Sequence, residues 1–163
     1  MAEKNGTAFG APGLEPRWTS SAKCGVGTAL GSSSRVWFTL SHGILDEIYY
    51  PRLDEACTRD LGLVITDESG FFSEEKRDTD CAVDRLAEGV PAYRLVNSCR
   101  RNRYRIEKQL LADPVRSTVL QHTVFTPLSG SLRRYHLHAV LAPHIGNRGY
   151  GNSAANKFMP QPG

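Results

Sequence analysis

An all-β fold of antiparallel strands is predicted by three features of the sequence. Short runs rich in β-branched and aromatic residues recur at close spacing, Gly, Pro, Asp or Asn bounds them, and no long 3.6-residue apolar stripe interrupts them. The βα alternation of a parallel sheet is absent, so the runs describe an antiparallel β-sandwich.

Residues 1–14 have the composition of a disordered lead, and the domain is expected over 15–154. The Gly-rich stretch CGVGTALGSSSRVWF places Gly25, Gly27 and Gly31 as a phosphate-binding loop would. It follows polar SSAK, opens a strand instead of a helix and lacks a Lys-Ser or Lys-Thr pair, so the glycines read as strand and turn residues. RVWFTL from Arg35 is the first clear strand. In ILDEIYY the apolar residues Ile44, Leu45, Ile48 and Tyr49 fit a helical face about as well as a strand. Gly43 and Pro51 bracket a segment too short for a stable helix, and Tyr and Ile favour the pleated surface, so a strand is predicted.

LGLVIT from Leu61 follows as a strand, and DESGFFSEE predicts a tight turn at Glu68 to Gly70 leading into a short strand through Phe71 and Phe72. AYRLVNSC from Ala92, YRIEKQLL from Tyr104, STVLQHTVFTPL from Ser117 and RRYHLHAVLAP from Arg133 complete the set. Residues 155–163 have the composition of a tail.

At 163 residues the chain is long enough for one sizeable core. Its 20 basic and 17 acidic residues are spread along the whole chain, which argues against a nucleic-acid or membrane partner. The opening residues lack the basic start and apolar core of a secretory signal, so a cytoplasmic location is expected. Cys24, Cys57, Cys81 and Cys99 form no CxxC pair and read as buried free thiols.

Three groups carry chemistry worth testing. His136 and His138, two apart on a strand, share a face and could meet a metal with His144; two hydrogen-bonded surface or interface histidines are the simpler reading, and no metal or cofactor is predicted. In CRRNRYRIEK, alternation puts Arg103, Arg105 and Glu107 on one solvated strand face, which outweighs single-stranded nucleic-acid binding around Tyr104. Asp46 and Glu47, as strand neighbours, should project to opposite faces and fail to flank one glycosidic bond, while Asp78 and Asp80 sit in a charged segment. There is no GxSxG elbow, HExxH helix or Cys/His nucleophile arrangement, so no catalytic residue is assigned.

Several long phrases resemble one known family. They are APGLEPRWTSSAKCGVGTALGSSSRVWFTLSHGILDEIYYPRLDEACTRDLGLVITD, GFFSEEKRDTD, GVPAYRLVN, YRIEKQLLADP, VLQHTVFTPL and LAPHIGNRGYGNSA. Together they resemble the N-terminal β-sandwich domain of prokaryotic glucoamylases and glucodextranases, in glycoside hydrolase family 15. The resemblance implies a large sandwich placed before an α/α barrel, where two glutamates release glucose from α-glucan ends with inversion. Those glutamates have no counterpart in this chain, so a non-catalytic supporting role for a catalytic α/α-barrel domain is implied. Family members continue into further strands after GNRGYGNSA where this chain turns to ANKFMPQPG, so an incomplete sandwich with uncovered edges and apolar faces is expected.

Within that frame Tyr49, Tyr50 and Arg52, with Asp46, Glu47, Asp54 and Glu55 around them, are the candidate site. Aromatic faces stack on sugar rings and a guanidinium bonds hydroxyls or carboxylates, so the trio could line a glucan rim or pack against the barrel. The plainer reading puts one tyrosine in the core and the other over the surface. A free-standing sandwich that binds α-glucan and a nonfunctional gene fragment are the alternative functions.

Overall fold

A computed structural model of the protein describes residues 22–148. The expected lead, the expected tail and the outer ends of the expected domain lie outside these residues.

The described residues form two antiparallel sheets. The larger runs β1 (Gly25–Thr28), β2 (Trp37–Ser41), β3 (Ile44–Tyr49), β4 (Ala56–Asp67) and β10 (Tyr135–Pro143), with β5 (Phe72–Glu74) also paired to β4. The smaller runs β6 (Thr79–Arg85), β7 (Tyr93–Cys99), β8 (Tyr104–Ala112) and β9 (Val119–Pro127). A single helical turn, α1 (Glu75–Asp78), joins β5 to β6 and carries the chain from one sheet to the other. The antiparallel β-sandwich that the sequence predicts is the fold observed.

Turn chemistry sets the register. Ser41 pairs with Ile44, so β2 and β3 are joined by His42 and Gly43 alone, with φ of 49° and 75°. A two-residue hairpin with both φ positive matches the right-handed twist of its strands and needs a glycine where crowding is worst. A Cβ on Gly43 would stand 2.2 Å from Asn97 Oδ1. The predicted turn at Glu68 to Gly70 is present and organised by Asp67, whose Oδ1 accepts hydrogen bonds from Ser69 N at 2.8 Å, Ser69 Oγ at 2.7 Å and Phe71 N at 2.9 Å. The strand beyond it begins at Phe72, one residue later than predicted, because Phe71 turns into the core.

Alternation on β7 and β8 aims Tyr93, Leu95 and Cys99, and Tyr104, Ile106 and Leu110, at the larger sheet. The core divides into two apolar clusters. One gathers Phe38, Leu40, Leu45, Leu95 and Leu110; the other gathers Ile65, Phe71, Tyr104, Ile106 and Tyr135. Between them lies a polar layer, because Lys108 and Asn97 occupy core-facing positions of β8 and β7. Lys108 Nζ stands 2.7 Å from Glu75 Oε1 with both side chains wholly buried. Glu75 also accepts from Leu63 N at 3.0 Å and Asn97 Nδ2 at 2.5 Å, and Asn97 Nδ2 reaches Gly43 O at 2.8 Å. α1 thus places a carboxylate between the sheets, where a charge survives only if paired and hydrogen-bonded.

Several sequence expectations are corrected. Of the four cysteines, Cys99 is buried and Cys57 half-buried, but Cys24 and Cys81 are exposed because Cys24 just precedes the edge strand β1 and Cys81 lies on the edge strand β6. All four are free thiols. Arg105 and Glu107 do share a solvated face of β8 and pair at 2.7 Å. Arg103 does not join them: it precedes β8 and turns back so that Nη2 meets Asp67 Oδ2 at 2.9 Å, its guanidinium lying 4.6 Å from the Phe71 ring centre. The buried carboxylate of Asp67 outcompetes solvent for that cation.

Asp67 makes the fold acid-sensitive. The Ser69 hydroxyl first, opposed by burial and then joined by the Phe71 and Ser69 amides and by Arg134, holds its carboxyl far below the usual range. A folded pKa below the unfolded value of about 3.9 gives stability that is fully present above that value and lost as pH falls through the folded pKa. Melting temperature is therefore expected to fall between about pH 5 and pH 2, with Asp67→Asn flattening that slope. An unchanged slope in the variant would refute the assignment.

The core face does not end where the smaller sheet ends. Leu137, Ala139 and Leu141 of β10 lie cross-strand from Ile65, Leu63 and Leu61 on that face, yet Leu137 is 40% and Leu141 55% exposed. Among the described residues this apolar strip of β10 stands open to solvent.

Candidate functional site

The segment that carries the candidate residues is β3 and its hairpin into β4. β3 is a strand, as predicted, but it does not alternate cleanly. Phe38 pairs with Ile48 and Leu40 with Leu45, so Thr39 alone opposes both Asp46 and Glu47. Two residues facing one is a β-bulge, which bends the strand and re-aims side chains. Asp46 and Glu47 consequently reach the same cation, Lys23, instead of projecting to opposite faces as alternation predicts: Lys23 Nζ contacts Asp46 Oδ2 and lies 3.0 Å from Glu47 Oε2. Thr39 pins the bulge by donating to Asp46 Oδ2 at 3.4 Å and accepting from Glu47 N at 3.1 Å.

Tyr49 belongs to this network. Its hydroxyl donates to Glu47 Oε2 at 2.6 Å. Burial, then the Glu47 carboxylate, pushes the phenol up to about 12, so Tyr49 stays a donor throughout the physiological range. For Glu47, partial burial acts upward, but the bonds from Tyr49 and Lys23 and the nearby His144 outweigh it and hold the carboxyl below its ordinary value.

Tyr50, Pro51 and Arg52 form the tip, entered through a cis Tyr50–Pro51 bond. Tyr50 N donates to Glu55 O at 3.0 Å and Glu55 N to Arg52 O at 3.1 Å, which closes the loop. Arg52 makes a two-pronged pair with Asp54, Nε to Oδ1 at 2.9 Å and Nη2 to Oδ2 at 2.8 Å, in full solvent. Tyr50 is 44% exposed. The segment after β10 braces the tip, since His144 N donates to Cys57 O at 2.9 Å and Asn147 Nδ2 to Asp54 O at 3.3 Å.

The three candidates therefore stay on one hairpin but do different things. Neither tyrosine fills the core, contrary to what strict alternation would require; Tyr49 is half-buried and Tyr50 exposed. Lys23 was not legible as a member of the site. Only the bulge, invisible in sequence, joins it to two adjacent acids.

The other candidates stand apart. His138 Nε2 bonds Thr66 Oγ1 at 3.0 Å, His144 is buried with Nδ1 3.1 Å from Ala56 O, and His136 is exposed. Among the described residues no group of three or more His, Cys, Asp or Glu is arranged to hold a metal. Asp78 Oδ2 accepts from Glu74 N at 2.7 Å, and Asp80 pairs with Arg100 at 2.9 Å.

The fold and this site define a β-sandwich module with an exposed hairpin, on which Arg52 and Asp54 neutralise each other and the Tyr50 ring is open. The chain belongs to the family described as glucodextranase, domain N, which it matches over residues 8–161. It is similar to a glucoamylase of Clostridium sp. (strain G0005), 38% identical over 148 residues, covering 91% of this chain and 21% of that protein. Its fold matches the crystal structure of a bacterial glucoamylase complexed with acarbose, with a TM-score of 0.81 and 37% identity over 89% of this chain and 22% of the other. The chain spans about one fifth of the length of these relatives.

Proposed function

We infer that this domain is a non-catalytic supporting module of a glucoamylase-like glycoside hydrolase, packing against an α/α-barrel catalytic domain through the β3–β4 hairpin. The observation that carries the reading is that nearly the whole chain matches about one fifth of a glucoamylase at 38% identity. The uncovered Leu137 and Leu141 support it, because an apolar strip of this kind asks for further polypeptide. Free thiols throughout fit a reducing, cytoplasmic setting.

The test is a chimera in which residues 8–161 replace the matching stretch of the Clostridium glucoamylase. Tyr50→Ala combined with Arg52→Ala is expected to lower activity or interdomain affinity roughly tenfold, the scale of an interface anchor, while leaving the melting temperature of the isolated domain unchanged. An unaltered chimera would refute the hairpin's role. A chimera that folds but releases no glucose would refute the supporting role.

Tyr50 also favours a second reading, a weak α-glucan rim, since its ring is open beside polar groups. Tyr49 spends its hydroxyl hydrogen on Glu47 and Arg52 turns one edge of its guanidinium to Asp54, which leaves the Tyr50 ring and the other guanidinium edge to do the binding. Titration calorimetry with maltooligosaccharides and isomaltooligosaccharides distinguishes the two: saturable heat abolished by Tyr50→Ala supports the rim, and no heat from the folded chain removes it.

A further inference from the structure

β1 and β6 are edge strands, one from each sheet, and they flank a cleft of about 460 Å³. Lys23, Cys24 and Val26 line one wall, and Val83, Asp84 and Arg85 the other. Cys24 is at this mouth, and Cys81 lies two residues before Val83 on the same face of β6. Cys24 N and Sγ both reach Leu40 O, at 2.8 and 3.3 Å, which sets the residue beside the end of β2 just before the His42–Gly43 turn. Cys81 is cross-strand from Asn97 on the core-facing side of β6, and Asn97 Nδ2 holds Gly43 O of that same turn at 2.8 Å. Both residues thus neighbour the β2–β3 hairpin, Cys24 from its own sheet and Cys81, through Asn97, from the other. Each is free and exposed, whereas Cys99 is sealed in the core and Cys57 lies on β4.

We propose that Cys24 and Cys81 form a redox clasp, a disulfide made by exchange with a low-molecular-weight disulfide such as oxidised glutathione, which ties the open edges of the two sheets together. The Cys24 thiolate attacks one glutathione sulfur and releases the first glutathione thiolate. The Cys81 thiolate then attacks Sγ of Cys24 in the mixed disulfide and releases the second. Two protein S–H bonds become one S–S bond, the reagent is reduced to two thiols, and the two protons pass to them. Partial desolvation holds both thiols above the ordinary cysteine range, and the nearby Cys24 adds to the rise at Cys81, which reaches about 11. The thiolates are therefore scarce near neutrality, and exchange is expected to speed up as pH rises.

The enclosed loop is long, so the cross-link would restrict the unfolded chain strongly. The full chain, treated with oxidised glutathione at alkaline pH and digested without reductant, is expected to yield one Cys24–Cys81 peptide by mass spectrometry. Free thiols should fall from four to two. The melting temperature should rise by several degrees and return on reduction. Cys24→Ser and Cys81→Ser, both at exposed positions, should each abolish the cross-link and the shift. A mixture dominated by other pairings, by dimers between chains or by persistent glutathione adducts at both positions would overturn the proposal, as would four unreacted thiols in the native protein.

Discussion

Lys108→Met is expected to destabilise the domain by about 3–5 kcal/mol, enough to remove much of the stability of a chain this size. The side chain is replaced by one of similar length, so the effect reports the charge more than the packing. In the native fold Lys108 Nζ sits 2.7 Å from Glu75 Oε1 and neither side chain is exposed. Losing the cation leaves Glu75 a carboxylate in a dry interior with Leu63 N and Asn97 Nδ2 as its remaining partners. Two neutral donors do not replace water and a counter-ion, so the fold must unseat α1 or protonate the acid. Urea unfolding followed by the two tryptophans measures the effect. A loss below about 1 kcal/mol would mean that Glu75 is not held as a charge in the native state. Glu75→Gln in the Lys108→Met background should recover part of the loss, because the amide oxygen still accepts from Leu63 N while the stranded charge is gone.

That pair shows where sequence and structure part. The strands were legible because their burial follows a period of two: Tyr93 to Cys99 and Tyr104 to Ala112 alternate as written, and the turn at Glu68 to Gly70 announces itself through Asp67 and glycine. Lys108 was present in the same pattern, in phase with Tyr104, Ile106 and Leu110, yet composition alone assigns a lysine to water. What kept it inside is Glu75, brought by a one-turn helix in a segment, SEEKRDTD, that reads as a charged loop. β6 was hidden for the same reason, since Asp80, Asp84 and Arg85 mask its edge-strand alternation. The candidate site was only half legible. Tyr49, Tyr50 and Arg52 lie on one hairpin as their adjacency demands, but the bulge that gathers Asp46 and Glu47 onto Lys23 depends on cross-strand register with Thr39, which no local pattern encodes.

Tyr104→Ala is the second large expected effect, at about 3–5 kcal/mol, through a cavity where four aromatic rings meet. Tyr104 is wholly buried, stacks on Phe125 with ring centres 5.3 Å apart and takes the edge of Phe71 at 6.3 Å. Phe71 and Phe125 in turn meet Tyr135, at 6.3 and 5.4 Å, so the rings join the β4–β5 turn, β8, β9 and β10. Tyr104→Phe separates packing from hydrogen bonding. It keeps the stack but removes the 2.7 Å bond to the buried Ser73 hydroxyl, for an expected loss of about 1–3 kcal/mol. The rings cluster near Asp67, at one end of β4, while the Tyr50 hairpin enters the other end at Ala56, about 35 Å away along the strand. Effects at that separation should add without coupling. In the glucoamylase chimera, Tyr104→Phe is therefore expected to lower the melting temperature and leave glucose release at permissive temperature intact, and Tyr50→Ala to do the reverse. Loss of activity with Tyr104→Phe in a fully folded chimera would show that the two ends of β4 communicate, and the division between a stabilising end and a contacting end would fall.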